Sequence, residues 1–260
     1  MAGKLRLGGM ALRNGVLVHG PTSWACAVRL PDGSISVVSE RKLLIGNTIQ
    51  NPLFRGPARL LEALAVLPAL KRRLPEAKLP FEQPRIIAAV LASAVGVRVI
   101  RGSRLAPAVQ ELAAGFLALT PALLSLRGSD LAAYHGAEHI SIGTYEHGEP
   151  RSREHERCGS HLVGPLLVTS AAANALASTV PRRYRGPART AASLGGLAAA
   201  TELFGWMVRN PDSPLARALA KPGHELQHRY ATKEPTAEQV EVAEAALNAC
   251  LTAEAEAATA

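Results

Sequence analysis

The sequence predicts a mainly α-helical protein with a small N-terminal β-hairpin or sheet and an Ala-rich helical bundle embedded in a membrane. Three observations predict this class. Apolar runs of helical length fill the middle of the chain, and residues 15–45 alternate in the manner of β-strands. Hydrophobic residues make up 48% of the 260 residues but aromatic residues only 4%, a balance that suits close packing between helices.

Residues 1–85 are predicted to form a basic, β-containing region and a linker. Strand patterns cover Val16–Val18, Trp24–Leu30 and Ser34–Ser39, and the last two flank the turn sequence Pro31-Asp32-Gly33. We interpret Gly8-Gly9 as a turn and nothing more. A basic, proline-punctuated stretch then leads to the helical region.

The charge of the chain is unevenly distributed. The net charge is +8, and 13 of the 29 lysines and arginines precede residue 86. Because these cations are not interleaved with aromatic residues and no nucleic-acid-binding motif is present, we expect no nucleic-acid partner and a surface that faces membrane lipid or solvent. No secretory signal peptide is expected from Met1–Leu7, since this basic run leads into glycines.

Cysteine usage indicates the redox compartment. The three cysteines, Cys26, Cys158 and Cys250, are odd in number and far apart in the sequence. No disulfide framework is therefore expected, and a reducing compartment fits.

Residues 86–208 are predicted to form the helical, transmembrane part of the chain. The segments Leu105–Leu126, Leu162–Val180 and Thr190–Val208 are each close to the ~20 residues that cross a bilayer, whereas Ile86–Val97 is shorter. Buried Ala-rich helices of a soluble bundle are the alternative, and a mean hydropathy of only +0.09 keeps it open. The number and orientation of the spans stay open as well.

The third region, residues 209–260, is predicted to be a polar segment followed by a C-terminal helix. Thr236 and Gln239 have the spacing of a capping box, which favours a helix from there to about residue 253.

A polar, His-rich motif loop at residues 127–161 interrupts the apolar region. Within it, Tyr134-His135-Gly136-Ala137-Glu138-His139 places two histidines four residues apart, with a glutamate between them. On a helix these three side chains share one face. Two imidazoles so placed bind a zinc-like divalent ion, and a carboxylate beside them is suited to act as general base. We therefore predict His135 and His139 as metal ligands and Glu138 as the catalytic residue.

Three further residues are candidate ligands. His155 and Cys158 follow at a spacing of three, and Glu202 stands alone as an acid in the apolar run Thr190–Val208. A thiolate at Cys158 would suit zinc, and its alternative is a small buried thiol. An unpaired Glu202 would be costly in lipid or in a core, so it meets the metal or pairs with an arginine or histidine.

Short motifs spread between about residues 8 and 247 resemble the YqhQ-like family of bacterial proteins. They are Gly8-Gly9-Met10-Ala11, Asn14-Gly15-Val16, Gly20-Pro21, Ala27-Val28-Arg29-Leu30-Pro31-Asp32-Gly33, Arg55-Gly56, Tyr134-His135-Gly136-Ala137-Glu138-His139, Arg157-Cys158-Gly159-Ser160, Pro222-Gly223, Leu226-Gln227, Thr232-Lys233-Glu234-Pro235 and Glu238-Gln239-Val240-Glu241-Val242-Ala243. The family is regarded as predicted metal-dependent enzymes without an established reaction, usually membrane proteins. The resemblance thus implies a multi-pass protein of the bacterial inner membrane and supports His135, Glu138, His139, His155 and Cys158 as site residues.

The chain also departs from the family pattern. Asn14 replaces an acidic residue that members commonly carry, and His19 stands where a basic residue precedes Gly-Pro. We carry no role over to either position.

Three functions remain open on the sequence. The first is a membrane-associated, zinc-dependent hydrolase that cleaves an amide or ester bond of an unknown substrate. The second is a non-catalytic membrane assembly or scaffold protein in which a structural metal or a bare histidine network holds the polar segment. The third is a soluble helical binding module. A closed set of four metal ligands that includes Cys158 would favour the scaffold protein, because four protein ligands leave no position on the metal for water.

Overall fold

The computed structural model describes residues 4–42, 49–127 and 129–259. Its N-terminal part is a four-stranded antiparallel sheet in the order β1 (Gly8–Leu12), β2 (Gly15–His19), β3 (Ser23–Arg29) and β4 (Ile35–Arg41). The predicted hairpin is therefore confirmed and corresponds to β3 and β4. The interpretation of Gly8-Gly9 as a turn is wrong: both glycines lie in β1, where Gly9 pairs with Val18.

Both faces of the sheet are buried, and the alternation of the strands sorts their side chains between two cores. One face packs against helices near the C-terminus and in the middle of the chain, and the other packs against the end of the first helix. Val16, Val18, Ala25 and Ala27 belong to the first face. Leu17, Trp24, Cys26 and Val28 belong to the second face. This division follows from the two-residue period of a strand.

Eight α-helices account for most of the rest of the described chain. They are α1 (Pro52–Arg73), α2 (Pro84–Gly102), α3 (Pro107–Leu126), α4 (Leu131–His147), α5 (Val163–Thr179), α6 (Arg185–Arg209), α7 (Pro214–Leu226) and α8 (Ala237–Thr259). The first half of the segment predicted as a polar loop at 127–161 is therefore the helix α4. A short 3-10 turn, Gly159–Leu162, leads into α5, and a π-helical turn, Gln227–Ala231, follows α7.

The C-terminal helix α8 packs across the N-terminal sheet. Its predicted capping box is present: the Gln239 backbone N–H donates to Thr236 Oγ1 at 3.3 Å, and the Thr236 N–H donates to Gln239 Oε1 at 2.9 Å. Farther along, the buried Glu254 carboxylate accepts hydrogen bonds from the backbone N–H groups of Thr22 and Ser23, at 2.8 and 2.7 Å. The turn between β2 and β3 is thus tied to α8.

Among the described residues, three helical segments are long and apolar enough to cross a membrane, as the sequence predicts. They are Val109–Leu126, Gly159–Thr179 and Arg185–Arg209, and only 22% of each hydropathy window is buried inside the protein. Large apolar side chains such as Phe116, Leu176 and Leu194 point outward, with 73%, 72% and 65% of their surface exposed. A surface of this kind is compatible with a membrane protein.

The polar residues at the start of α3 have partners. Glu111 is buried and forms a bidentate ion pair with Arg101 of α2, at 2.8 and 2.7 Å. Gln110 accepts a hydrogen bond from the side-chain amide of Asn174 in α5. Paired in this way, polar groups are tolerated at one end of an apolar bundle.

The Glu254 tether is testable by mutation. Glu254→Ala leaves the buried N–H of Ser23 and the partly buried N–H of Thr22 without their acceptor, and we expect it to lower the free energy of unfolding by about 3 kcal/mol. Urea unfolding followed by tryptophan fluorescence, to which Trp24, buried in β3, contributes, measures the change. Glu256→Ala removes an exposed carboxylate two positions later and is expected to change stability by less than about 0.5 kcal/mol. Equal stabilities of the two variants would contradict the tether.

Candidate metal centre

Helix α4 presents the histidine motif to a cavity of about 430 Å³ between β1, α4 and residues 158–160. His135, Glu138 and His139 line this cavity, while Tyr134 and Ala137 on the neighbouring stripe of the helix belong to the core against the sheet. The helical period explains the division, since positions i, i+3 and i+4 share a face. The predicted common face of the motif is therefore present.

Backbone carbonyls orient both histidines. His135 Nδ1 lies 2.9 Å from the Ala231 carbonyl oxygen, and His139 Nδ1 lies 2.7 Å from the Arg153 carbonyl oxygen. Because a carbonyl oxygen only accepts, each Nδ1 carries the proton and each Nε2 keeps a free lone pair. Burial lowers the pKa of His139, which favours the neutral form that a metal ligand needs.

Cys158 completes a group of three ligand atoms. It precedes the turn Gly159–Leu162, and its Sγ lies 3.4 Å from His135 Nε2. One ligand atom each from His135, His139 and Cys158 lies within 4.8 Å of the others. Two imidazole nitrogens and one thiol are a donor set that suits zinc. These three residues fit a divalent metal by the chemistry and proximity of their donor atoms.

Glu138 lies beside this group without belonging to it. The side chain is buried, lines the same cavity, and forms no hydrogen bond within the described part of the chain. Burial raises the pKa of its carboxyl, and the nearby His135 and His155 act in the opposite direction. Gly9 of β1 makes room for it, because a Cβ there would overlap the Glu138 carboxyl group. The arrangement provides a free carboxylate next to the ligand atoms.

His155 lines the cavity but is not one of the three clustered ligands. Its ring centre lies 5.6 Å from that of His139, and its Nε2 lies 3.4 Å from Oε2 of Glu146. Glu146 also pairs with Arg157. Although burial acts to raise the pKa of Glu146, His155 and Arg157 outweigh it and lower this pKa to about 2. The structure therefore places His155 at the edge of the candidate centre, in a polar network of its own.

Glu202 lies on α6 and its carboxylate is paired with Arg55 of α1. The pairing is bidentate: Arg55 Nε donates to Glu202 Oε1 at 2.6 Å, and Arg55 Nη2 contacts Oε2. Glu202 is not one of the ligand atoms gathered with His135, His139 and Cys158. Of the two roles that the sequence allows for this acid, the structure shows the ion pair with an arginine.

His19 was not predicted as a site residue, yet it lines the cavity. Its Nδ1 lies 2.9 Å from the ammonium group of Lys42, so Nδ1 accepts and the neutral ring carries its proton on Nε2. Burial, with Lys42 as the second cause, lowers the pKa of His19 to about 4. Nε2 also lies close to Gly8, where a Cβ would come within 2.8 Å of it. A neutral N–H donor thus stands in the wall of the cavity. A histidine beside Gly-Pro gives no local sign of this role.

Comparison with known proteins finds a family match that contains the histidine motif and a similar protein. Residues 129–253, which include the whole histidine motif and Cys158, match the family described as "Protein of unknown function (DUF1385)". The chain is also 34% identical over 148 residues to the protein of Bacillus subtilis (strain 168) described as "Uncharacterized protein YqhQ". That match covers 54% of this chain and 45% of the relative, so the match spans less than half of the relative's length. No solved structure matches the chain.

The lowered pKa of Glu146 predicts a pH dependence of stability. A carboxyl whose pKa falls from 4.5 to about 2 on folding stabilises the protein above pH 4.5, and this stabilisation is lost as the pH falls toward 2. We expect the stability difference between the wild type and Glu146→Gln to be largest at pH 5 to 7 and to shrink as the pH falls from about 4.5 to about 2. Urea unfolding at a series of pH values measures it. Glu149→Gln, which removes a largely exposed carboxylate nearby, is the matched control, and a Glu146→Gln difference that does not vary with pH would contradict the prediction.

Proposed function

We propose that this chain, for which the family match and the 34% identity to YqhQ support a YqhQ-like family, is a metal-dependent, membrane-associated hydrolase. In this proposal His135, His139 and Cys158 hold the metal and Glu138 is the general base. The observation that carries it is the convergence of three ligand atoms and one free buried carboxylate on a single cavity.

The number of ligands supports a catalytic centre over a structural one. Three protein ligands leave one position of a tetrahedral ion for water or substrate, whereas structural zinc is held by four. A divalent metal bound there would supply Lewis acidity toward water and a substrate carbonyl. Glu138 would accept the proton from the attacking water and pass it to the leaving amine or alcohol. The donor set favours zinc among the divalent metals.

In the same proposal, His19 is the hydrogen-bond donor to a substrate oxygen. Its Nε2 proton is available because Lys42 occupies Nδ1. A neutral N–H donor in the cavity wall suits the stabilisation of negative charge that develops on a substrate oxygen. His135 and His139 cannot serve in this way, since their Nδ1 protons are already donated to the carbonyls of Ala231 and Arg153.

The alternative is a non-catalytic assembly or scaffold protein that uses a structural metal or the histidine network alone. Its best support is the density of polar contacts around the cavity, such as the bonds that Arg153 makes to the Thr232 carbonyl and hydroxyl. A structural centre would need a fourth ligand, and His155, which lines the same cavity, is a candidate. The two functions therefore differ in what His155 and Glu138 do.

The membrane part of the proposal rests on a topological argument. The sheet of residues 8–41 packs on α8, so both lie on the same side of any membrane that the chain crosses. An even number of crossings must separate them, but within residues 4–42, 49–127 and 129–259 three segments meet the length and hydropathy of a span. We infer that α2 is the fourth, because its 19 residues expose Leu91, Val95 and Val99 along one face.

The candidate metal centre lies at the edge of this bundle. Its cavity is lined by Ser125 and Leu126, at the end of one span, and by Gly159 and Ser160, at the start of another. A substrate would therefore reach the site at the membrane surface. This position supports a membrane-associated substrate and leaves its chemical identity open.

Metal analysis of purified variants tests the centre. We expect about one zinc per chain in the wild type and its loss in His139→Ala and Cys158→Ala. Glu138→Gln is expected to keep the metal but to lower hydrolysis about 10²- to 10⁴-fold, because only the proton acceptor is removed. Metal is counted by elemental analysis after chelator-free purification, and activity by hydrolysis of a panel of esters and amides and by complementation of a deletion strain.

Two control variants separate the alternatives. Glu202→Gln breaks the ion pair with Arg55 and should keep the metal. His155→Ala should also keep most of it if the centre is open, whereas loss as complete as in His139→Ala would indicate a closed, structural site. Retained metal together with unchanged function in Glu138→Gln would overturn the hydrolase proposal.

Membrane embedding is tested by fractionation. We expect the untagged protein to stay in the membrane pellet after a carbonate wash, because its apolar helices would be exposed to water otherwise. A peripheral protein in the same extract serves as the control for complete washing. Recovery of the chain in the supernatant would support the soluble binding module instead.

A further inference from the structure

A second and larger cavity lies outside the candidate metal centre. It has a volume of about 710 Å³ and is bounded by residues 4–6, the end of α4, the end of α6, the first turns of α7, and the side chains of Glu156, Arg157 and His161. The proposed hydrolase uses none of its residues. We call this second cavity the basic cavity, after the lysine and arginines that line it. Arg157 lines both the basic cavity and the cavity of the candidate metal centre, so the two cavities are neighbours.

The rim of the basic cavity carries more lysine and arginine side chains than acidic side chains to pair with them. Lys4, Arg6, Arg157 and Arg217 line it together with only two acids, Glu146 and Glu156. Arg157 pairs with Glu146, and Glu156 lies near His147 and Arg151. The guanidinium groups of Arg6 and Arg217 have no ion-pair or hydrogen-bond partner among the residues that the structure describes. Two guanidinium groups are thus left to meet an anion.

A buried histidine adds a donor to the wall of the same cavity. His161 is 6% exposed, and its Nδ1 lies 3.1 Å from the side-chain nitrogen of Gln227. The Gln227 oxygen already accepts from the His155 backbone N–H, so its nitrogen donates and His161 Nδ1 accepts. The proton of the neutral ring is therefore on Nε2. Nε2 has no hydrogen-bond partner among the side chains that the structure describes, and a ligand oxygen in the cavity would satisfy it.

The opposite wall is apolar and continuous with a membrane span. Phe204, Met207 and Val208 line it, and they belong to the last two turns of the candidate span Arg185–Arg209. A cationic rim with an N–H donor, beside an apolar wall that belongs to a candidate span, is complementary to an anionic amphiphile. A free inorganic anion would leave the apolar wall in contact with water.

We propose that the basic cavity binds the headgroup of an anionic phospholipid. Its phosphate meets Arg6, Arg217 and the Nε2 proton of His161, and the first part of an acyl chain lies against Phe204. This inference rests on the membrane part of the proposed function and is independent of the metal. A lipid held here has its headgroup beside Arg157, at the boundary with the candidate metal centre.

Lipid binding to the detergent-solubilised full chain tests the proposal. The probes are fluorescent phosphatidylglycerol and fluorescent phosphatidylcholine with the same chains, titrated with the wild type and with Arg6→Glu and Arg217→Glu. We expect phosphatidylglycerol to bind more tightly, and each variant to weaken it by about 5-fold or more, because each reverses one cation at a lipid-facing surface. Arg72→Glu, an exposed arginine at the end of α1 away from this cavity, is the charge-matched control and should leave binding unchanged.

The outcomes separate this proposal from the hydrolase. Equal affinity for the two lipids, or equal effects of Arg217→Glu and Arg72→Glu, would overturn it. Displacement of phosphatidylglycerol by millimolar inorganic phosphate would show a free-anion site and overturn it as well. Arg217→Glu should keep the metal and His139→Ala should keep the lipid, so a failure of either site is visible without a failure of the other.

Discussion

The packing of α4 and α8 on one face of the N-terminal sheet is the constraint on which the other features depend. It buries Val16, Val18, Ala25 and Ala27 against apolar residues of both helices. Because it joins residues from the two ends of the chain, it fixes both on one side of the apolar bundle. It also sets α4 beside β1, where Gly9 admits the Glu138 carboxyl group. Hydrophobic burial of the sheet thus positions a polar site that contributes little apolar contact itself.

The site is held in place by backbone groups that come from distant parts of the sequence. His135 is oriented by Ala231 and His139 by Arg153, while the Lys233 backbone N–H donates to the Ala132 carbonyl at 2.8 Å. Gln227, which is fully buried, links His155 to Ser160 and His161. Hydrogen bonds of this kind fix the tautomer and direction of a ligand before any metal binds. They also connect the candidate metal centre to the basic cavity through His161 and Arg157.

Glu111 and Glu202, two acidic residues on the apolar helices, are each paired with an arginine. Glu111 pairs with Arg101, and Glu202 pairs with Arg55, in both cases through two hydrogen bonds. An unpaired carboxylate in such surroundings would lose more solvation than any other contact returns. Arg6 and Arg217 differ from these residues, since no described acid forms an ion pair with them at the rim of the basic cavity, where Glu146 and Glu156 pair with other residues. The contrast is the reason to expect an anionic ligand at that rim and none at Arg55 or Arg101.

Local periodicity determined much of this protein from sequence alone. The spacing of His135, Glu138 and His139 places them on one helical face, the alternation in β3 and β4 predicts a hairpin, and Thr236 with Gln239 marks the start of α8. The length of the apolar runs predicted the three candidate spans. Each of these features depends on neighbours within a few residues, so a short stretch of sequence contains all the information.

Tertiary structure alone decided which residues meet. It brought Cys158 to the two histidines and left His155 at their edge, although both residues follow the motif at a similar distance in sequence. It paired Glu202 with Arg55, which is 147 residues away in the sequence, and it placed His19 in the wall of the cavity at the candidate metal centre. It also placed Gly8-Gly9 in a strand, because β2 supplies the partner that a pair of glycines does not reveal. Contacts between residues far apart in the chain are set by how the sheet and helices pack, and local spacing carries no record of them.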